Sequence, residues 1–338
     1  MQKGYTLFRS GVIAGMIAAT TFTFVYAQRV TGDTKGETAF PYRWVLSRYP
    51  GNPVLRAIPG TWEAEWFSVD SVIRRKDRLY LYYHGSDKGN RNTQLGLAFS
   101  SDGITWTRDP DNPVWKNAWH FGLRDVRVYQ LGESDFWLYY SDFDEHIDLA
   151  HSTDGIHWKN FDRNPVLAPS QDWESLLMQE CVLRLGEQWY MWYSTYEGKP
   201  RVTGLATSND GIHWTKYARN PVLRLGEPGQ WDDYSAFQPT VLFQDGSFHM
   251  LYTGSSKKNP TGYQWGYALS KDGVRWTKSP ENPIFTPGPS GNWDAGKVSG
   301  HPIVRTGPDS FYIYYGGASS PDDTYRGIGL VEARLVRP

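Results

Sequence analysis

Ser100-Ser101-Asp102-Gly103-Ile104-Thr105-Trp106, with Asn112-Pro113-Val114 a few residues on, is a phrase this chain writes four times. The other copies are Ser152–Trp158, Ser208–Trp214 and Ser270–Trp276, followed by Asn164-Pro165, Asn220-Pro221 and Asn282-Pro283. A period of roughly 50 to 60 residues in a chain rich in strand formers marks a radial or stacked array. Outward from each copy the same strand signals recur. A short apolar strand comes first, such as Ser71-Val72-Ile73 or Cys181-Val182-Leu183. After a tight polar turn there is an aromatic strand: Leu79–Tyr83, Phe136–Tyr140, Trp189–Tyr193, Phe248–Tyr252 and Phe311–Tyr315. A third strand then runs into the Asp-Gly turn, and a fourth starts near the repeated Trp; Asp-Gly between strands is a hairpin signal.

Four strands per unit, repeated, make propeller blades. The aromatic strand occurs five times but the Asp-Gly-x-x-Trp element only four. Trp44 and Asn52-Pro53-Val54-Leu55 imitate Trp158 and Asn164-Pro165-Val166-Leu167. The reading is therefore an all-β, five-bladed β-propeller with four-stranded blades, the last closed by the N-terminal strand, which removes an open sheet edge. The turns between strands one and two, and between three and four, are short. The second-to-third connections, His84–Thr93, Ser141–His146, Ser194–Arg201, Thr253–Tyr263 and Gly316–Arg326, read as longer and varied, and such loops on one face of a rigid scaffold carry function.

Composition narrows the partners. The 338 residues hold 35 Lys+Arg against 36 Asp+Glu, a net charge of −1, so no basic field is present for nucleic acid. Aromatics make up 16% of the chain, with 16 Trp and 22 Tyr; they favour strands and offer flat faces on which sugars stack. Lys3 and Arg9, the apolar stretch Gly11 to Val25 and Val25-Tyr26-Ala27 read as an export signal over residues 1–27, shorter than the roughly 20 apolar residues of a membrane span. Residues 28–338 then form the propeller, in a secreted or periplasmic location and off the membrane after cleavage. The only cysteine is Cys181, so no disulfide within the chain can brace it.

The repeat breaks at one position. The first strands align as Asp70-Ser-Val-Ile, Asp125-Val-Arg-Val, Glu180-Cys-Val-Leu, Gln238-Pro-Thr-Val and His301-Pro-Ile-Val, with Trp62, Trp119, Trp173, Trp231 and Trp293 a short step upstream. The innermost strand of a propeller is its first, so these five polar side chains should converge near the axis. They could simply line a wet channel. Three carboxyl groups in one concavity, however, push one another's pKa values apart, and that separation is what acid and base roles at one pH require. Glycoside hydrolysis needs two carboxyl groups flanking the scissile bond.

At these residues the chain resembles the five-bladed propeller glycosidases, which include the arabinanases and xylosidases of glycoside hydrolase family 43, the fructosidases and the related mannoside phosphorylases. The resemblance covers roughly residues 40 to 338. Arg124-Asp125 and Glu180-Cys181 look like the Arg-Asp and Glu-Cys pairs of the fructosidases, which implies Asp70 as nucleophile, Asp125 as a stabiliser on sugar hydroxyls and Glu180 as acid/base. Val69-Asp70-Ser71 departs from that branch's Asn-Asp-Pro, and Val126 stands where a Pro follows its Arg-Asp pair. The arabinanase branch matches Asp70 as base and His301 in blade five, and in the neoagarobiose-hydrolase branch a His is the acid, a role His301 could fill.

The function expected is an exported glycoside hydrolase acting on oligo- or polysaccharides, with Asp70 as nucleophile or base and Glu180 as acid. Gln238, His301, His84, Arg124, Trp62, Trp119, Arg201 and Arg326 are the candidates for holding sugar. No cofactor is required, and a structural calcium ion near the axis is left open. A lectin-like propeller and a glycoside phosphorylase are the alternatives. The first would repeat one binding site per blade, and the second would need a cationic phosphate subsite, for which Arg124, Arg201 and Arg326 are candidates. The Asp-Gly elements look like shortened sialidase Asp-boxes and, lying on the short-turn face, read as structural turns.

Overall fold

The computed structural model describes residues 40–89, 92–115, 122–141, 145–196 and 200–337. The segment read as an export signal, and Trp119, lie outside the described residues. Four antiparallel four-stranded sheets follow one another, and a fifth joins the two ends of the chain. Blade one is Trp66–Arg75, Arg78–Ser86, Gln94–Ser100 and Thr107–Arg108; blade two is Arg124–Gly132, Asp135–Ser141, Ile147–Ser152 and Lys159–Asn160. Blade three is Leu176–Leu185, Gln188–Tyr196, Thr203–Ser208 and Thr215–Lys216, and blade four Ser235–Gln244, Ser247–Ser256, Asn259–Ser270 and Thr277–Lys278. Blade five has a first strand broken into Lys297–Ser299 and Ile303–Arg305, then Ser310–Ala318 and Gly327–Val336. Its outer strand is Arg43–Arg48, paired from Arg43 opposite Val336 to Arg48 opposite Val331. The expected closure by the N-terminal segment is therefore the observed one. One connection differs: most of the expected loop Thr253–Tyr263 is strand, because the hairpin of blade four extends to Ser256 and resumes at Asn259.

First strands contact one another from blade one to blade four, blade five's meets blade one's, and blade five's also packs on Asn259–Ser270 of blade four. Packing explains why the aromatic strands read as nearly continuous apolar runs. Alternate residues of a strand face opposite sides of its sheet, and both sides are covered. Leu79, Leu81 and Tyr83 join Val304, Tyr314 and Ile328 of blade five, while Tyr82 joins Val128 and Leu138 of blade two. Three more such clusters fill the remaining seams between blades.

The repeated phrase builds the outer frame. In each copy the Asp side chain accepts from two backbone amides of its own turn; Asp102 Oδ1, for instance, accepts from the amides of Ile104 and Thr105, both at 2.8 Å. Gly103 sits at φ +80°, where a side chain is disfavoured. Its carbonyl accepts from the Tyr314 hydroxyl at 2.8 Å, so the turn docks on the neighbouring blade. Gly155, Gly211 and Gly273 accept in the same way from Tyr82, Tyr139 and Trp192. The Asn before each Pro works as a strand surrogate: Asn220 Oδ1 accepts from Leu205 N at 2.9 Å while its Nδ2 donates to Leu205 O at 3.0 Å.

A further repeat stands behind the upstream tryptophans. Glu63, Glu174, Asp232 and Asp294, each next to such a Trp, accept from the hydroxyls of Tyr83, Tyr193, Tyr252 and Tyr315. Each also pairs with an outer-strand cation: Arg108, Lys216, Lys278 or Arg48. The acids of these pairs are buried and hydrogen-bonded on several sides while most of the cations stay part-exposed, a condition under which burying charge is tolerated.

Candidate active site

The first strands of blades one to four share a defect. Their pairing with the second strand shifts between Val69 and Ser71, Arg124 and Arg127, Met178 and Cys181, and Phe237 and Thr240. In blade five the strand breaks outright between Ser299 and Ile303. Asp70, Asp125, Glu180, Gln238 and His301 occupy these five irregularities. A bulge leaves a residue unpaired and re-aims its side chain, and bulges gather beside active sites for that reason. Asp125 and Gln238 hold left-handed φ values of +50° and +53°, conformations that tertiary structure must impose on such residues.

A cavity of about 210 Å³ opens at the ring. Asp70, Asp125 and Gln238 line it with His84 and Arg124, and so do Tyr196, Thr261, Tyr263 and Tyr325 from the second-to-third connections or the strand ends beside them. Trp66, Phe237 and these tyrosines supply aromatic wall of the kind on which a sugar ring stacks.

Asp70 is buried, and its Oδ1 lies 2.8 Å from His84 Nδ1. Trp66 Nε1 lies 2.5 Å from His84 Nε2. An indole N–H can only donate, so Nε2 must accept, and the imidazole proton sits on Nδ1 and points at Asp70. The chain Trp66, His84, Asp70 thus fixes both the tautomer and the carboxyl orientation. Asp70 Oδ2 has no hydrogen-bond partner among the described residues.

The other two carboxyls sit differently. Burial pushes the Asp125 pKa up, and the charge of Asp70 adds to the rise. Glu180 is wholly buried and is not among the residues lining the cavity, and neither carboxyl oxygen is hydrogen-bonded to another of the described residues. Its pKa is pushed up to about 8, chiefly by burial, with its own backbone amide and then Arg127 opposing and Asp125 and Asp70 reinforcing the rise. The arrangement therefore places Glu180, raised far enough to keep a proton at neutral pH, near a carboxyl held by an imidazole N–H.

Several candidates lie elsewhere. Trp62 stacks on Tyr83, ring centroids 5.9 Å apart, and belongs to the frame rather than to the cavity wall. Arg201 lies behind the wall, its guanidinium 3.9 Å over the Tyr196 ring and bonded to the Tyr263 hydroxyl. Arg326 is outside the cavity, donating to Ala64 O at 2.7 Å and to Glu65 at 3.3 Å on the surface. His301 is buried with Nδ1 2.9 Å from Thr240 Oγ1, and burial, helped by the charge of Arg127, drives its pKa well down, leaving it neutral. Cys181 faces the seam with blade four, its Sγ 3.2 Å from Val241 N.

Sequence reading passed over Arg127, Trp66 and Lys297, all on the cavity wall. Arg127 could have been found, since it lies two residues after Asp125 in the first strand; its Nη1 donates to Asp70 O and faces the ring of acids. Nothing in the pattern around Lys297 marks it. Among the described residues no group of three or more His, Cys, Asp or Glu is placed to hold a metal ion.

The five-bladed β-propeller is a fold shared with glycoside hydrolases of known structure, as the sequence resemblance implied. Residues 188–323 match the family described as the glycosyl hydrolases family 32 N-terminal domain. An uncharacterised protein of Mycobacterium tuberculosis (strain CDC 1551 / Oshkosh) is 28% identical over 221 residues, 61% of this chain and 73% of that one. The A type blood N-acetyl-alpha-D-galactosamine deacetylase of Flavonifractor plautii is 27% identical over 295 residues, 84% of this chain but 33% of that protein. Among solved structures, a glycosyl hydrolase from Bacteroides ovatus superposes with a TM-score of 0.68 at 20% identity, covering 85% of this chain and 93% of that one. The β-1,2-mannobiose phosphorylase from Listeria innocua does so with 0.65 at 16% identity, covering 86% and 96%.

Proposed function

We propose that this chain is an exported glycoside hydrolase that cleaves oligo- or polysaccharides at the axial cavity. The observation that carries the reading is the contrast among three carboxyl groups from successive blades. Asp70 accepts from His84 and keeps one oxygen unpartnered, whereas burial raises the pKa of both Asp125 and Glu180. Carboxyls in environments this unlike divide into an attacking group and a proton donor. Asp70 is the attacking group, either on the anomeric carbon or on a water molecule. Glu180, protonated at neutral pH, gives its proton to the leaving oxygen.

One observation favours a second assignment of the donor: Asp125 is on the cavity wall and Glu180 is not. A panel of aryl furanosides and pyranosides with leaving groups of graded acidity separates the two. Asp70→Asn should lose at least about 10²-fold in kcat. Glu180→Gln should lose activity most on poor leaving groups and recover on good ones, where less protonation is needed. That recovery in Asp125→Asn instead would move the donor to Asp125. Full activity of Asp70→Asn on every substrate cleaved by the parent would refute the proposal. NMR of the first-formed anomer then assigns Asp70 as nucleophile for retention or as base for inversion.

A further inference from the structure

Three cations reach the cavity wall: Arg124, Arg127 and Lys297. Arg127 is committed to the backbone oxygen of Asp70. Lys297 differs. It opens the broken first strand of blade five and is 7% exposed. Its Nζ donates to Pro321 O at 2.8 Å and lies 5.0 Å from the centroid of the Tyr325 ring. An ammonium has three N–H groups, and these contacts satisfy one bond and one π face. No carboxylate of the described residues forms an ion pair with it, whereas Lys216, whose side chain is 8% exposed, is paired with Glu174. Burial draws the Lys297 pKa down, and Asp323 and Asp322 offset the fall only from a distance.

A buried cation left without a counter-ion is destabilising. A lysine that served packing alone would do better as an apolar side chain of similar volume. Lys297 instead brings its ammonium to a wall whose neighbouring surface is aromatic and hydroxylic: Tyr325, Tyr263, Thr261 and Ser299. That combination fits a sugar ring lying against aromatic faces with a negative group directed at the amine.

We propose that the cavity selects a sugar unit bearing an anionic substituent, a carboxylate or a sulfate, and that Lys297 is the side chain that recognises it. This deepens the glycosidase reading and rests on it. A charge-assisted bond formed in a water-poor cavity is stronger than a neutral one, so an acidic sugar should bind at least about 10-fold more tightly than its neutral counterpart.

The test uses the full chain as Asp70→Asn, which removes turnover, and measures binding by calorimetry and ligand-observed NMR. The probes are D-galacturonic and D-glucuronic acid, their neutral counterparts D-galactose and D-glucose, D-galactose 6-sulfate, and inorganic phosphate. The acidic sugars should be preferred, the preference should vanish with Lys297→Met and persist with Lys297→Arg, and added salt should weaken it. Preference for the uronates over the sulfate, or the reverse, identifies the substituent and supports the proposal in either case. Equal binding of neutral and acidic sugars by the parent overturns it, whether or not Lys297→Met folds. So does a preference that survives in a folded Lys297→Met, or binding of phosphate with no preference among the sugars. If neutral aryl glycosides are cleaved while the acidic preference is missing, only this inference falls. If no glycoside of either kind is cleaved or bound, the glycosidase reading falls with it.

Discussion

Replacing Glu180 with Gln should remove a loss of stability that grows as pH rises. In the unfolded chain this carboxyl releases its proton near its ordinary value of 4.5, and in the folded protein near 8, because burial disfavours the charge. Between those values the folded state holds a proton that the unfolded chain has lost. Stability from this group is therefore complete below pH 4.5 and falls as pH rises, by about 1.4 kcal/mol per pH unit. From pH 5 to pH 8 the loss is roughly 4 kcal/mol, an order-of-magnitude figure. Gln keeps the shape and cannot ionise, so the variant should gain on the parent by that amount over the same interval. With an unfolding entropy of about 2.1 cal/mol/K per residue, a domain of roughly 300 residues shifts by about 1.6 °C per kcal/mol, so the gap in melting temperature should widen by roughly 6 °C. Asp125, raised by the same burial, is present in both proteins and largely cancels in the difference. Thermal unfolding of the two proteins from pH 5 to 8 in one buffer series measures the gap. A gap that stays flat with pH would mean that Glu180 is solvated or paired in solution, and the argument for its acid role would go with it.

Trp66→Phe should remove the hydrogen bond to His84 Nε2 and loosen the imidazole; the Nε2 ¹⁵N chemical shift of His84 should move, with kcat down by about 10-fold as Asp70 loses a firmly placed donor. An unchanged shift would remove Trp66 as a positioning residue. Asn220→Ala deletes the bonds to Leu205 N and O and to the Tyr193 hydroxyl, and should cost about 2–3 kcal/mol in urea unfolding. His213→Ala, in the exposed turn nearby, should stay within about 0.5 kcal/mol, and equal losses would show that the Asn is no strand surrogate. Removing residues 40–56 strips the outer strand from Gly327–Val336 and should abolish the cooperative melt, and an unaltered transition would refute closure by this segment.

What could be read from the chain was whatever repeats. Asp-Gly turns, aromatic strands and the Asn-Pro steps are local signals, and each recurs often enough for its period to show. The N-terminal echo at Trp44 and Asn52 was legible for the same reason, because Asn52 bonds Leu330 as Asn220 bonds Leu205. The ring residues were found as departures from the repeat. What stayed hidden depends on contacts distant in sequence. Trp62 and Trp66 are alike on paper, yet one stacks in the frame and the other donates into the cavity, because Trp66 enters the first strand and Trp62 precedes it. Arg201 and Arg326 sit in loops on the functional face, but their guanidinium groups found partners away from the cavity, which residue type cannot reveal. Lys297 was invisible because its meaning comes from a missing partner.

The division of labour between frame and ring has a physical basis. The Trp-acid-Tyr-cation sets and the five apolar seams lie outward from the axis and hold each blade to the next. None of them uses Asp70, Asp125 or Glu180. The inner ends of the first strands can therefore leave the regular ladder, adopt left-handed backbone at Asp125 and Gln238, and keep carboxyl oxygens unpartnered among the described residues without opening the barrel of blades. A regular inner strand would turn alternate side chains into the seams on either side. The bulge is what aims a polar group at the axis instead, and repeating it with a different residue in each blade turns five equivalent positions into one asymmetric site. Chemistry on this scaffold is set by which side chain stands at each bulge, so exchanging residues between bulges should alter the reaction long before it alters the fold.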